Sequence, residues 1–402
     1  MSAAPASLAP DRLQYLDRFL EQRYLDSARL PCAVTLVEHR GEIAHFSAQG
    51  HMDVERKRRV DKDTIFRIYS MTKPITSIAF MMLVEQGLVA LDDPVHRFIP
   101  AWRDLGVYDA GFIGTFRTKR TQSPMRMIDL LRHTSGLTYG IQQRTSVDHA
   151  YRKLRLGIMG GDVTLAGMIE GLAQVPLEFS PGQQWNYSVS TDVLGYLVEK
   201  LSGVPFAEFL RTRILQPLGM RDTDFQVPAG QASRFAACYA AAKDGMQLQD
   251  DPTTSSYLHA PTFYSGGAGL VSTASDYLRF CRMLLNRGSL DGVRIISPKT
   301  LELMTSNHLP GGRELPDLSV SLFSESTYAG VGFGLGFAVT LDPAKTLLPG
   351  TPGDFSWGGM ASTYFWIDPR EELIVIFMTQ LMPSATYPIR RELRTLVYSA
   401  FS

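Results

Sequence analysis

Near the N-terminus, Leu13, Leu16, Phe19, Leu20 and Tyr24 recur at three- and four-residue steps. That spacing predicts an amphipathic helix over 11–28 whose apolar stripe packs on a sheet. β-Branched and aromatic residues then fill 32–37 and 43–46 on either side of His39-Arg40-Gly41, the pattern of a hairpin. From Ser70 through Gly87 the periodicity is helical, and beyond Pro100 it stays helical or looped, broken by Pro, Gly and polar clusters, to about Ala260. A further helix is predicted over 275–286, extended segments over 332–341, 361–367 and 373–379, and a last helix over 387–401. The fold class expected from this order is α/β (α+β): an antiparallel sheet assembled from both termini and flanked by helices. Residues 1–100 and 262–402 form that α/β domain in this reading, with 101–261 as an inserted, mainly helical domain. No repeat of 20 to 50 residues is present, which sets solenoids aside.

Composition narrows the function classes. The 402 residues carry 40 Lys plus Arg and 40 Asp plus Glu, so no global field favours nucleic acid or an anionic membrane. A small neutral ligand suits that balance. Cys32, Cys238 and Cys281 are an odd set without CxxC spacing, as expected of buried free thiols in a reducing compartment. The N-terminal segment lacks a basic start followed by an apolar run, and the most apolar stretch, 75–89, is too short to span a bilayer and contains Glu85 and Gln86. A cytoplasmic protein is expected, and the sequence specifies no oligomeric state.

Acyl-transfer chemistry needs a nucleophile whose proton can be removed near neutrality. Ser70-Met71-Thr72-Lys73 places a hydroxyl and an amine three residues apart, on one face of a helix start, and none of the other eight lysines has a Ser at that spacing. Pro74 fits a first helical turn. There the free amides and the helix dipole favour negative charge on the Ser oxygen and disfavour a protonated amine. Read alone, the tetrad also fits a helix cap with a surface lysine. Tyr187 lies in a loop entering a helix, where a phenol can shuttle a proton or simply pack its ring. Trp357-Gly358-Gly359-Met360 precedes an alternating strand. Paired glycines there admit a close backbone or ligand, and the Met360 amide could join that of Ser70 in an oxyanion site; a tight turn is the plain alternative.

Other signals carry less. No Gly-x-Ser-x-Gly pentapeptide supports an α/β-hydrolase triad, and His133 beside Ser135 is read as structural, bonding to backbone. His39, His45 and His51 lack HExxH or a carboxylate pattern, so no metal or cofactor is expected. Gly330, Gly332, Gly334 and Gly336 alternate with apolar residues as in a strand with one bare face. The basic run 56–59 reads as a solvated loop.

Taken in order, the motifs resemble the serine β-lactamase and penicillin-binding-protein superfamily, most closely the class C-like branch that contains the family VIII carboxylesterases. The likeness rests on 63–73, on Asp129-Leu130-Leu131-Arg132-His133-Thr134-Ser135-Gly136-Leu137, on 181–197, on Gln216-Pro217-Leu218-Gly219-Met220 and on 265–270, and runs over roughly 30–380. It implies a β-lactamase/transpeptidase-like fold. It also implies Ser70 as the acylated nucleophile, Lys73 and Tyr187 as its general-base pair, and the Ser70 and Met360 amides as the oxyanion hole. Two departures bear on substrate. Val189 stands where class C β-lactamases carry Asn, and Trp357-Gly358-Gly359 replaces Lys-Thr-Gly, as in family VIII esterases, so an amide and a cation that hold a β-lactam are absent. A serine carboxylesterase acting on short-chain neutral esters is expected, with Trp357, Gly358, Gly359, Trp185, Val189, Tyr264 and Phe333 contacting substrate. The alternatives with the same nucleophile are a β-lactamase, a D-amino-acid peptidase or amidase, an acyltransferase, or a sensor that is acylated once without turnover.

Overall fold

A computed structural model describes residues 7–157, 163–243, 245–320 and 328–402. Its main sheet uses β1 (Cys32–His39), β2 (Glu42–Asp53), β3 (Val331–Phe333), β4 (Ala338–Thr340), β5 (Phe355–Gly358), β6 (Tyr364–Asp368) and β7 (Leu373–Met378). The strand order is β3-β4-β5-β6-β7-β1-β2, with Arg58–Arg59 added at the β2 edge. Every pairing is antiparallel, and β1 pairs with β7 in the register Val34 to Met378 through His39 to Leu373. The expected junction of the two ends of the chain is therefore the centre of the sheet. The β1–β2 turn has Arg40 at φ 54° and Gly41 at φ 81°, the two left-handed positions of a twist-compatible tight hairpin.

Both faces of the central strands are covered, so β1 is buried along its whole length and β7 is apolar throughout instead of alternating with polar residues. Leu373, Val375 and Phe377 join Ala33 and Val37 in a core beneath α1 (Pro10–Leu20) and the C-terminal helix. Ile374, Ile376 and Met378 join Val34 and Leu36 in the larger core on the opposite face. That face holds α2 (Thr72–Glu85), α3 (Ser190–Ser202) and α4 (Ala274–Leu285), and the last helix is α5 (Ile389–Tyr398). Residues 72–83 of α2 are all buried, as befits a helix apolar on every side. It ends at Glu85, with Gly87 at φ 71° just beyond.

Three boundaries differ from the pattern. The first helix is α only to Leu20 and widens into a π turn over Glu21–Leu25, which swings Tyr24 onto Tyr387 (ring centroids 5.7 Å) and Glu392 of α5. The glycine-alternating stretch is two short strands, β3 and β4, instead of one. Its turn passes so close to neighbours that a Cβ at Gly334 would sit 2.1 Å from the Met304 carbonyl, and one at Gly336 (φ 102°) 2.5 Å from Ser77 Oγ. Alternation there reflects close approach, not a bare sheet face. Finally, Val107–Ala110 pairs with Arg117–Lys119, and Cys238–Ala242 pairs with Gly245–Asp250 and with Leu381–Met382, hairpins that the hydrophobic pattern does not signal. The three cysteines are free and buried. Among the described residues no helix is long and apolar enough to cross a membrane.

α5 is fixed to the sheet by a buried two-pronged ion pair. Arg394 Nη1 and Nη2 donate to Asp354 Oδ2 and Oδ1 at 3.0 and 2.8 Å, and Thr340 Oγ1 donates to Asp354 at 2.7 Å. Removing one partner strands a charge in the core, which costs about 3–5 kcal/mol. Asp354→Ala is expected to lower the unfolding free energy by that amount in urea titration, against little change for Glu302→Ala on the exposed Lys299 pair.

Candidate active site

The nucleophile candidate arises from a local break in helix geometry. Tyr69–Met71 forms a single 3-10 turn before α2, entered through Tyr69 at φ 41°, a strained value for a bulky residue. Ser70 is thereby set at the tip of α2, lining a cavity of about 970 Å³. One turn on, Lys73 is 2% exposed and its Nζ donates to Ser70 Oγ at 3.2 Å, to Tyr139 OH at 3.1 Å and to the Gly267 carbonyl at 2.7 Å. The amine thus lies behind Ser70 and Tyr139, both of which line the cleft.

Tyr187 arrives from a loop clamped at several points. Asn186 N donates to the His133 carbonyl (2.9 Å), Asn186 Nδ2 to the Leu137 carbonyl (3.0 Å), and Gln142 Nε2 to the Tyr187 carbonyl (2.7 Å). The Tyr187 ring lies 4.5 Å from Lys73 Nζ, within cation–π range, and its hydroxyl accepts from Trp357 Nε1 at 3.4 Å. Lys73 therefore meets the face of Tyr187 and the hydroxyl of Tyr139. Tyr139 is the residue that sequence reasoning missed, although it follows the quoted His133–Leu137 motif by two positions.

Behind Tyr139 stands Asp192, buried at the start of α3. It accepts from Ser265 Oγ at 2.5 Å and from Gly267 N at 3.0 Å. Burial raises its carboxyl above the ordinary range, against the opposing pull of the Lys73 charge and those hydrogen bonds. Burial, then the Asp192 charge, pushes the Tyr139 phenol well above its usual value. The 265–267 turn thus hands a carbonyl to Lys73 and an amide to Asp192. Its glycines are required: a Cβ at Gly266 would sit 2.6 Å from the Thr191 carbonyl, and one at Gly267 2.8 Å from Tyr139 OH.

The Trp357-Gly358-Gly359 segment ends β5 against the nucleophile's turn. A Cβ at Gly359 would lie 2.5 Å from the Ile68 carbonyl, so only glycine lets this edge run beside Ser70. Gly359 N donates to Thr363 O (2.9 Å) and Arg390 Nη2 to Gly359 O (2.8 Å), which fixes the backbone leading into Met360.

Of the expected substrate contacts, Trp185, Trp357, Gly358, Gly359 and Met360 line the cleft together with Ser70 and Tyr187. Val189, Tyr264 and Phe333 do not, a correction to their expected place. Val189 and Phe333 are fully buried, Phe333 packing 5.3 Å from Trp357 on the inner side of the wall, and Tyr264 turns edge-on to Phe225. His133 is also placed differently: its Nδ1 meets Ser188 Oγ at 3.2 Å, a side chain and not backbone, and burial followed by the Lys73 charge holds its pKa well below the usual value. The 56–59 run is engaged in part, Arg56 pairing with Asp53 and Asp251. Among the described residues no group of three His, Cys, Asp or Glu is placed to hold a metal ion.

Comparison with known proteins agrees with this geometry. The family described as Beta-lactamase matches residues 18–399. Esterase EstB of Burkholderia gladioli is 32% identical over 98% of this chain and 96% of its own length. Monacolin J acid methylbutanoyltransferase of Aspergillus terreus is 28% identical over 85% of this chain and 82% of its own. The solved structure of EstCE1, a hydrolase with promiscuous acyltransferase activity, superposes with a TM-score of 0.81 at 27% identity, covering 97% of this chain and 99% of that one. With a serine-tipped central helix, a buried lysine one turn on and this sheet order, the chain belongs to the Beta-lactamase family and has the β-lactamase/transpeptidase-like fold of its serine hydrolases.

Proposed function

We propose that the protein is a serine carboxylesterase that cleaves short-chain carboxylic esters through a Ser70 acyl-enzyme. The observation that carries this reading is the 3.2 Å contact between Ser70 Oγ, on the wall of the cleft, and the buried Lys73 Nζ. With Lys73 uncharged, that contact reverses: the Ser70 hydroxyl donates, while the amine keeps its bonds to Gly267 O and Tyr139 OH. The proton leaves Ser70 for the Lys73/Tyr187 pair as Oγ attacks the ester carbonyl. The Ser70 and Met360 amides receive the tetrahedral oxyanion, a contribution of roughly a hundredfold or more per donor. Collapse returns the proton to the departing alcohol. Water then attacks the acyl-enzyme by the same route and releases the acid.

A second reading, acyl transfer to an alcohol, uses the same intermediate. It is favoured by a cavity of about 970 Å³, far larger than a short acyl chain, with Trp185, Trp357, Leu347 and Leu348 on its walls. EstCE1 and the Aspergillus transferase carry transfer in their names, and EstB carries hydrolysis.

Ser70→Ala is expected to abolish release of p-nitrophenol from p-nitrophenyl butyrate, and intact mass spectrometry should find the butyryl adduct on the wild-type protein alone. Activity retained by Ser70→Ala would overturn the assignment. Lys73→Ala and Tyr187→Phe should each slow acylation by about a hundredfold or more in stopped-flow traces. Tyr139→Phe keeps the ring but removes one hydrogen-bond partner of Lys73, so kcat/KM should fall by about tenfold with the far-UV spectrum unchanged. Adding a primary alcohol during turnover separates the two readings: new ester by mass spectrometry marks transfer, and free acid alone marks hydrolysis.

A further inference from the structure

Resting on the ester-cleaving reading, we propose that the mouth of the cleft binds a carboxylate carried by the substrate, held by Arg391 with Arg390 at the start of α5. Four cationic side chains line this cavity: Lys345, Arg390, Arg391 and Arg394. Two are neutralised by neighbours, Lys345 by Glu314 at 2.5 Å and Arg394 by Asp354 at 2.8 Å. Arg390 spends one nitrogen on the Gly359 and Thr363 carbonyls at 2.8 and 3.1 Å, and its Nε is buried without a partner among the described residues. Half-buried Arg391 makes no ion pair and no side-chain hydrogen bond with any described residue. The adjacent carboxylate, Glu392, faces away, paired with Arg23 at 2.8 Å. The acidic residue on the cleft wall, Asp192, is already bonded to Ser265 and Gly267.

Two guanidinium groups from adjacent residues thus line an aromatic-walled cleft with no described counter-ion of their own. Positive charge without a counter-ion on a cleft wall favours an anion there more strongly than in water. The planar guanidinium fork matches the two oxygens of a carboxylate. The placement also revises the substrate expectation. Trp357 removes the cation of the Lys-Thr-Gly triplet, but α5 returns positive charge to the same strand edge: the Arg390 guanidinium lies so close to Gly358 that a Cβ there would meet Nη2 at 2.5 Å. The substrate class is accordingly an ester that bears a second, ionised carboxyl group on its acyl or its alcohol part.

Calorimetric titration of Ser70→Ala protein with intact esters tests this without turnover. Two matched pairs place the charge on opposite sides of the ester bond: mono-p-nitrophenyl glutarate against p-nitrophenyl valerate, and 4-acetoxybenzoate against its methyl ester. In at least one pair the carboxylate form is expected to bind about tenfold more tightly, the advantage shrinking with added salt. Introducing Arg391→Gln should bring that ratio close to one, and Arg391→Lys should restore part of it. Equal binding within both pairs, or a ratio that survives Arg391→Gln in protein with an unchanged far-UV spectrum, would refute the subsite. Failure here leaves the acyl-enzyme reading standing, whereas absence of a Ser70 adduct in the wild-type protein removes that reading and leaves the binding ratio measurable.

Discussion

A buried amine ties three distant stretches of this chain into one place. Lys73 Nζ makes three hydrogen bonds, each to a group from a different stretch: Ser70 on its own helix, Tyr139 from the 133–142 segment, and the Gly267 carbonyl from the turn before α4. A polar group this deeply buried is costly unless its hydrogen bonds are met. Satisfying them dictates where the surrounding loops can run. Asp192 completes the arrangement one layer back, holding the Gly267 peptide in the orientation that aims its carbonyl at the amine. Misplacing any one of these groups would disturb the other contacts, since they share a single nitrogen.

The sheet supplies the fixed side of the cleft. β5 can approach the nucleophile's turn because Gly359 leaves room for the Ile68 carbonyl, and its exit is pinned by Thr363 and Arg390. The facing wall is the Tyr187 loop, pinned by Asn186 and Gln142 to the same segment that presents Tyr139. Trp185 stacks on Tyr187 at 17° between ring planes and packs against Phe333, so the inner wall is a continuous aromatic layer. Rigid aromatic packing helps to fix the two phenol rings.

Much of this was legible in the sequence because it is local. The Ser70–Lys73 spacing places both groups on one helix face, and the 32–37, 43–46 and 373–379 runs already indicate a sheet drawn from both ends. What the sequence hides is approach through space. Tyr139 carries no periodic or spacing signal towards Lys73, and its role appears only when the 133–142 segment folds over α2. Val189 and Phe333 look like pocket residues by type, yet they are fully buried, since an apolar side chain reads alike on either side of a cleft wall. Within the Gly330–Gly336 alternation only Val331–Phe333 is a strand; Gly334 and Gly336 are demanded by contacts with Met304 and Ser77, which no local pattern encodes. Arg390 and Arg391 read as ordinary surface charges of a terminal helix until α5 is laid beside Gly358.

The pairing of β1 with β7 has an implication for how the protein is made. Val34 finds Met378, and His39 finds Leu373, so β1 has no neighbour on that side until the chain through β7 has been synthesised. Until then its apolar backbone edge is an open template for other chains. Such long-range closure also slows folding, because the entropy of bringing the ends together is lost before the central pairing can compensate. The topology thus leaves one edge of the β1–β2 hairpin open until β7 is available.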